Sequence, residues 1–264
     1  MYSVNYHRAS SVAEAATLLK SGDAKALSGG MTLLPAMKTR LAAPSDVVDI
    51  ARIGELKGIK VSGRTVTIGA ATTHAEVASN AELKKAAPAV AELAGMIGDP
   101  HVRHRGTIGG SVANNDPAAD YPSALLALGA TVVTNSREIA ADDFFTDLFE
   151  TALEDGEIIT AIRFEAPEKA AYEKFRNPAS RYAIAGVFVA KIGSSVRVAV
   201  TGAGENGVFR QADMEAALAK NFAPSAVEGI SVSADGLMSD IHASSEYRAN
   251  LVKVMAKRAV AKAG

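Results

Sequence analysis

"RGTIGGSVANNDPAADYPSALLALGA" runs from Arg105 to Ala130 and decides how the rest of the chain is read. Two adjacent glycines, Gly109 and Gly110, stand between Ile108 and Ser111, followed by small polar residues, two prolines and an apolar helical pattern. A turn rarely needs two glycines in a row, and a buried strand gains nothing from them. Glycine admits positive φ and puts no Cβ in the way of an approaching group. The pattern therefore suggests that something comes close to this backbone.

The same arrangement occurs earlier, in "SGGMTLL" from Ser28 to Leu34. Both pairs follow an extended segment, and both offer a hydroxyl within two residues, Thr32 in the first and Ser111 in the second. Free N–H groups in such a loop form an anion-binding concavity. Two loops facing each other would clamp a pyrophosphate without any lysine or arginine. Each taken singly reads as a glycine turn at a strand end, and only the matched pair brings the clamp level with that reading. Asp116 and Asp120 flank Pro117 after the second pair. They suit either the N-terminal end of a helix dipole or the hydroxyls of a bound ribityl or ribose group.

A third cluster, "GAGENG" from Gly202 to Gly207, spells the dinucleotide fingerprint G-x-G-x-x-G after a strand. Its context is wrong, because the helix begins only after "VFRQ" and no second parallel strand follows. It lies after a strand and before a helix and reads as a decoy, not a nucleotide site.

The chain has 264 residues, 48% of them hydrophobic and 22% charged, with a net charge of −1. That composition belongs to an ordinary globular protein and gives no electrostatic footprint for nucleic acid or an anionic membrane. No apolar run approaches the roughly 20 residues of a membrane span, and the N-terminus lacks a signal-peptide pattern. A cytoplasmic location is expected. Cysteine is absent, so this chain holds no disulfide, cysteine nucleophile or iron–sulfur cluster. "HVRH" from His101 to His104 lacks metal-ligand spacing and reads as two basic, partly exposed imidazoles beside Arg103 and Arg105.

Outward from the two glycine pairs, the chain divides into three. "SSVAEAATLLKSGD" predicts a helix with Ser11 and Glu14 at capping-box spacing, and "AKAL" and "DVVDI" predict strands, closing a β/α unit near residue 55. A second unit opens at the strand Thr65 to Gly69. It continues through helices interrupted near Pro88, the strand "TVVT", a turn that Asp142 could cap, and the alternating strand Ile158, Thr160, Ile162, Phe164. "EAPEKAA", residues 165–171, reads as a linker. Three strand-like segments follow, "AYEKFR", "AIAGVFVAKIG" and "SVRVAVTGAG", as an antiparallel meander. Helices at "QADMEAALAK" and "SSEYRANLVKVMAKRAVAKA" end the chain, the last with Tyr247, Leu251, Val254 and Arg258 on one face.

"SGGMTLLPAMK" and "IGDPHVRHRGTIGGSVANNDPAAD" closely resemble the two FAD-binding motifs of the medium, flavin-carrying subunits of molybdenum hydroxylases. The likeness is to the carbon monoxide dehydrogenase type, with the FAD domain of xanthine dehydrogenases as a relative. It continues through "DGEIITAIRF", "YEKFRNPASRYAIAGV" and "ASSEYRANLVKVMAKRA".

The resemblance implies an α+β fold. An FAD-binding half of two α/β subdomains (PCMH-type), residues 1–55 and 56–168, precedes a C-terminal domain, residues 171–264, built on a three-stranded antiparallel sheet with helices. Carried over by position, Ser28, Gly29, Gly30, Met31, Thr32 and Leu33, with Thr107, Gly109, Gly110 and Ser111, would contact the FAD diphosphate. Asp120 would bind cofactor hydroxyls. Ile159 and Lys174 would lie by the isoalloxazine edge, and Ile97 stands where xanthine dehydrogenases carry an aromatic residue. The resemblance further implies an electron-transfer role between a small [2Fe–2S] subunit, beside a large molybdopterin subunit, and an external acceptor. A stand-alone FAD oxidoreductase of the same fold is the alternative.

Overall fold

The computed structural model describes all residues, Met1–Gly264. Its first layer is a small parallel sheet of β1 (Asn5–Arg8), β2 (Ala24–Leu27) and β3 (Asp46–Asp49) in the order β1-β3-β2, crossed by α1 (Val12–Leu19) and α2 (Leu33–Lys38). Ser11 caps α1, accepting from the Glu14 N–H, while the Glu14 carboxylate reaches Ser10 rather than Ser11. β1 has no apolar alternation to mark it in the sequence.

The middle layer is an antiparallel sheet in the order β4-β5-β10-β6-β7. Its strands are β4 (Ile59–Ser62), β5 (Thr65–Gly69), β6 (Thr131–Thr134), β7 (Glu138–Ala140) and, at its centre, the last to be made, β10 (Ile159–Glu165). Between β5 and β6 run α3 (His74–Ser79), α4 (Ala81–Ala86), α5 (Pro88–Gly95), α6 (Pro100–Arg103), α7 (Ile108–Asn114) and α8 (Tyr121–Leu128). Pro88 opens α5 at its first turn, where a missing N–H costs nothing. After β7 come the short α9 (Ala141–Phe144) and the hairpin β8 (Phe145–Asp147) and β9 (Glu150–Thr151). Asp142 does not cap α9; its carboxylate pairs with Arg197 and Arg210 instead.

The C-terminal layer contains the three expected antiparallel strands, β11 (Lys169–Arg176), β12 (Ala183–Ile192) and β13 (Ser195–Gly204), plus a fourth, β14 (Gly207–Arg210). β14 corrects the reading of "GAGENG". Gly204 pairs with Gly207 across a tight hairpin, so the cluster joins two strands and not a strand to a helix. The linker is also shorter than expected, since β11 already begins at Lys169. α10 (Ala212–Lys220), α11 (Ser225–Glu228) and α12 (Ser245–Ala263) cover the far face.

These layers explain two sequence features. α8 is buried all round because one core joins the middle sheet to the near face of the C-terminal sheet, including Tyr172 and Phe188, with α8 between them. β12 is a continuous apolar run because a second core, against α10 to α12, covers its other face. The buried side of α12 carries Arg248, Leu251, Val252, Met255 and Ala256, not the stripe of Tyr247 and Arg258, which are exposed. Arg248 is buried because it donates to the Ile184 and Gly202 carbonyls and pairs with Asp240. No helix is long and apolar enough to cross a membrane.

Candidate functional site

The two glycine pairs meet. The Ser28 and Thr107 hydroxyls lie 2.9 Å apart in a hydrogen bond between segments distant in sequence. Gly29 packs on the second segment so closely that a Cβ there would stand 2.1 Å from the Arg105 carbonyl oxygen. Gly109 presses on β5's end, where a Cβ would meet that of Ala70 at 2.5 Å. These two glycines are therefore needed for protein packing. Gly110 is different. It is exposed, and an added Cβ would touch only the Thr107 hydroxyl, at 3.0 Å, and Ser28. Its bare backbone faces open space.

The second pair is not a loop but the first turn of α7, capped by Thr107. This changes the N–H accounting. Ile108 donates to the Thr72 carbonyl, Gly109 to Ala70, Gly110 to the Thr107 hydroxyl and Ser111 to the Thr107 carbonyl. The free donors lie in the first loop. None of the backbone N–H groups from Ser28 through Leu33 has a partner within the protein. Backbone donors left unpaired in this way are rare unless water or a ligand meets them.

Both segments open on one cleft of about 590 Å³. Ser28, Gly29, Gly30, Met31, Thr32, Leu33, Thr107, Gly109, Gly110, Ser111, Asp120 and Ile159 all line it, as does Ile97. The first layer adds apolar wall from Leu27, Ala36, Ala42 and Ile50, the middle layer His74 and Val102. The turn before β12 adds Arg181 and Tyr182, the Arg181 guanidinium donating to the Gly98 carbonyl.

Lys174 does not line the cleft. Its ammonium is buried behind Asp120, 2.9 Å from Oδ1 and 3.1 Å from Oδ2, and also donates to the Met96 carbonyl. The Tyr172 hydroxyl donates to Asp120 Oδ1 as well. Asp120 thus makes no helix-capping bond. Burial pushes its carboxyl up, against the Lys174 ammonium and the Tyr172 hydroxyl, which favour the anion. Tyr172 was missing from the sequence reading; its place two residues before Lys174 on a strand, hence on the same face, is the signal that could have found it.

His74 was also overlooked. It is buried beside the cleft with its ring 5.4 Å from that of Tyr121, and its Nδ1 and the Tyr121 hydroxyl both lack partners. Burial, helped by the Arg103 charge, brings its pKa down to about 4. The "TxxE" capping box of Thr73 and Glu76 fixes its helix and was readable in the sequence.

An open cleft with unpaired backbone donors, a bare glycine opposite and apolar walls at either side defines a dinucleotide-binding α+β protein. Residues 2–167 match the family described as FAD binding domain in molybdopterin dehydrogenase. The chain is 36% identical to the carbon monoxide dehydrogenase medium chain of Hydrogenophaga pseudoflava, over 97% of this chain and 95% of that one. It is 35% identical to the nicotine 6-hydroxylase medium subunit of Paenarthrobacter nicotinovorans, over 99% and 97%. Its fold superimposes on a solved structure of the Hydrogenophaga pseudoflava carbon monoxide dehydrogenase with a TM-score of 0.88 at 35% identity, covering 99% of this chain and 97% of the other. The chain belongs to this family of FAD-binding medium subunits of molybdenum hydroxylases, and is an oxidoreductase subunit of PCMH-type fold.

The residues present fit FAD. The first loop supplies donors that nothing in the protein uses, and Gly110 leaves room opposite them.

Proposed function

We propose that this chain holds FAD between an electron-donating small [2Fe–2S] subunit and an external acceptor, in a complex whose large subunit carries molybdopterin. The names of its relatives, as medium chains or subunits of dehydrogenases and a hydroxylase, support such partners. The observation that carries the reading is the run of unpaired N–H groups from Ser28 to Leu33, on the same cleft that Gly110 lines.

In this reading the backbone of Ser28, Gly29, Gly30, Met31, Thr32 and Leu33 donates to the diphosphate, the larger share of that work. From the other side, Gly110 permits close approach and the Ser111 hydroxyl donates. Thr107 and Gly29 hold the two segments together, and Gly109 seats the second one on Ala70. Asp120 accepts from cofactor hydroxyls. The Ile159 backbone borders the isoalloxazine, and Lys174 acts on the cofactor hydroxyls through Asp120. Segments 1–55 and 56–168 form the FAD-binding half, and 171–264 the C-terminal domain. When bound, FAD supplies the redox chemistry, and the protein supplies binding, orientation and electrostatics. No general acid or base on this chain is required. The choice of substrate belongs to the large subunit.

The role is tested by mixing the FAD-loaded chain anaerobically with its reduced small subunit. Bleaching of the flavin absorbance, reversed by an added acceptor, is the expected result. Flavin that stays oxidised beside reduced clusters contradicts it.

A further inference from the structure

The family match ends at residue 167, yet the segment carrying Asp120 is held by the C-terminal sheet. The Thr201 hydroxyl on β13 bonds the Pro117 carbonyl at 3.1 Å and that of Ala119 at 2.6 Å, and the Gly202 N–H donates to Pro117 at 2.8 Å. On β11, Lys174 and Tyr172 reach Asp120 itself. Tyr172 is fully buried, with its ring stacked on Phe188. Its hydroxyl occupies a slot made by Gly186, where a Cβ would stand 2.4 Å from the phenolic oxygen. A tyrosine hydroxyl given a glycine slot, deep in a core and aimed at a carboxylate, does more than fill volume.

The distribution of bonds around Asp120 is uneven. Oδ1 accepts from both Tyr172 and Lys174, whereas Oδ2 accepts only from Lys174. Each carboxylate oxygen has about two lone-pair sites. Oδ2 is therefore the oxygen with capacity left for the cleft that Asp120 lines.

We propose that Tyr172, seated in the Gly186 slot, is a positioning residue for the FAD site: by engaging Oδ1 it fixes the Asp120 carboxylate so that Oδ2 accepts a cofactor hydroxyl. The C-terminal sheet is in this way part of the cofactor site without touching the cofactor. The inference rests on the FAD reading above. The groups facing Asp120 are Lys174 and Tyr172 from β11, Asp116 and Tyr121 from its own segment, and Tyr182 from the turn before β12. The Tyr172 hydroxyl favours the Asp120 anion against burial, so removing it raises the pH at which Asp120 takes up a proton.

The experiment is FAD titration of the full chain, followed by flavin fluorescence from about pH 5 to pH 8, on the parent, Tyr172→Phe and Gly186→Ala. Tyr172→Phe keeps the ring, and Gly186→Ala keeps Tyr172 but fills the slot of its hydroxyl. The expected result is FAD affinity about tenfold weaker near pH 8 in both variants, the cost of one bond to a charged group. The loss grows on acidification and sets in at higher pH than in the parent. A parent-like affinity and pH profile in Tyr172→Phe overturns the proposal. So does an affinity loss that is the same at every pH and tracks a lowered Tm, the signature of a purely structural role. A parent protein that binds no FAD at any pH overturns the cofactor reading and this inference together; bound FAD with an unmoved profile overturns only the inference.

Discussion

The Ser28 and Thr107 hydroxyls are hydrogen-bonded at 2.9 Å, and this contact turns two glycine pairs far apart in sequence into one site. It places the unpaired N–H run of the first loop opposite the exposed Gly110 of α7. Around this junction the glycines fall into two kinds, those that let protein pack on protein and one that leaves room for a ligand.

Gly109→Ala destabilises the fold by about 1–3 kcal/mol, the range for overpacking a tight core, because its Cβ collides with Ala70. Gly54→Ala is the control, since nothing lies within 4 Å of an added Cβ there; it changes stability by no more than about 0.5 kcal/mol. Chemical denaturation of both variants measures the difference.

Lys174→Met leaves the Asp120 carboxylate buried without its cation, with side-chain exposures of 3% and 5% for the pair. Breaking such a pair costs about 3–5 kcal/mol. The cost shrinks on acidification, because a buried carboxyl that has lost its partner is raised further and is tolerated once protonated. Stability measured at neutral and mildly acidic pH shows the gap between parent and variant narrowing as pH falls.

His74 titrates near 4 in the folded protein against an ordinary value of 6.5. Between these values the unfolded chain takes up a proton that the folded one refuses, so stability is full above about pH 6.5 and falls as pH drops toward 4. The loss is about 3 kcal/mol. His74→Gln removes this part of the pH dependence, which denaturation at both ends of the window detects as a flatter stability profile.

Much of the fold was legible because its signals are local. The Ser11 cap, the strand Thr65 to Gly69, the break at Pro88 and the alternation through Ile162 and Phe164 each depend on neighbours in sequence. What was not legible depends on what lies across the molecule. Sequence pattern cannot say that the N–H groups after Thr107 are spent inside the protein while those from Ser28 onward are free, because the acceptors at Ala70 and Thr72 come from another segment. It cannot show that Lys174 faces Asp120 and not the cleft, or that Arg248 is buried by carbonyls of β12 and β13. "GAGENG", rightly set aside as a nucleotide site but expected to lead into a helix, failed for the opposite reason. Its local pattern suits both a phosphate loop and a hairpin, and pairing of β13 with β14 decides for the hairpin.

The diphosphate clamp is tested most directly by FAD binding to the purified full chain and to Gly110→Val, read from the flavin spectrum retained after desalting, with FMN as the control. A clamp of this kind predicts that the parent retains FAD and not FMN, because the first-loop donors need a diphosphate. It also predicts that Gly110→Val folds but retains neither, because its side chain occupies the space opposite those donors. Equal retention of FAD and FMN, or full retention of FAD by Gly110→Val, would contradict it.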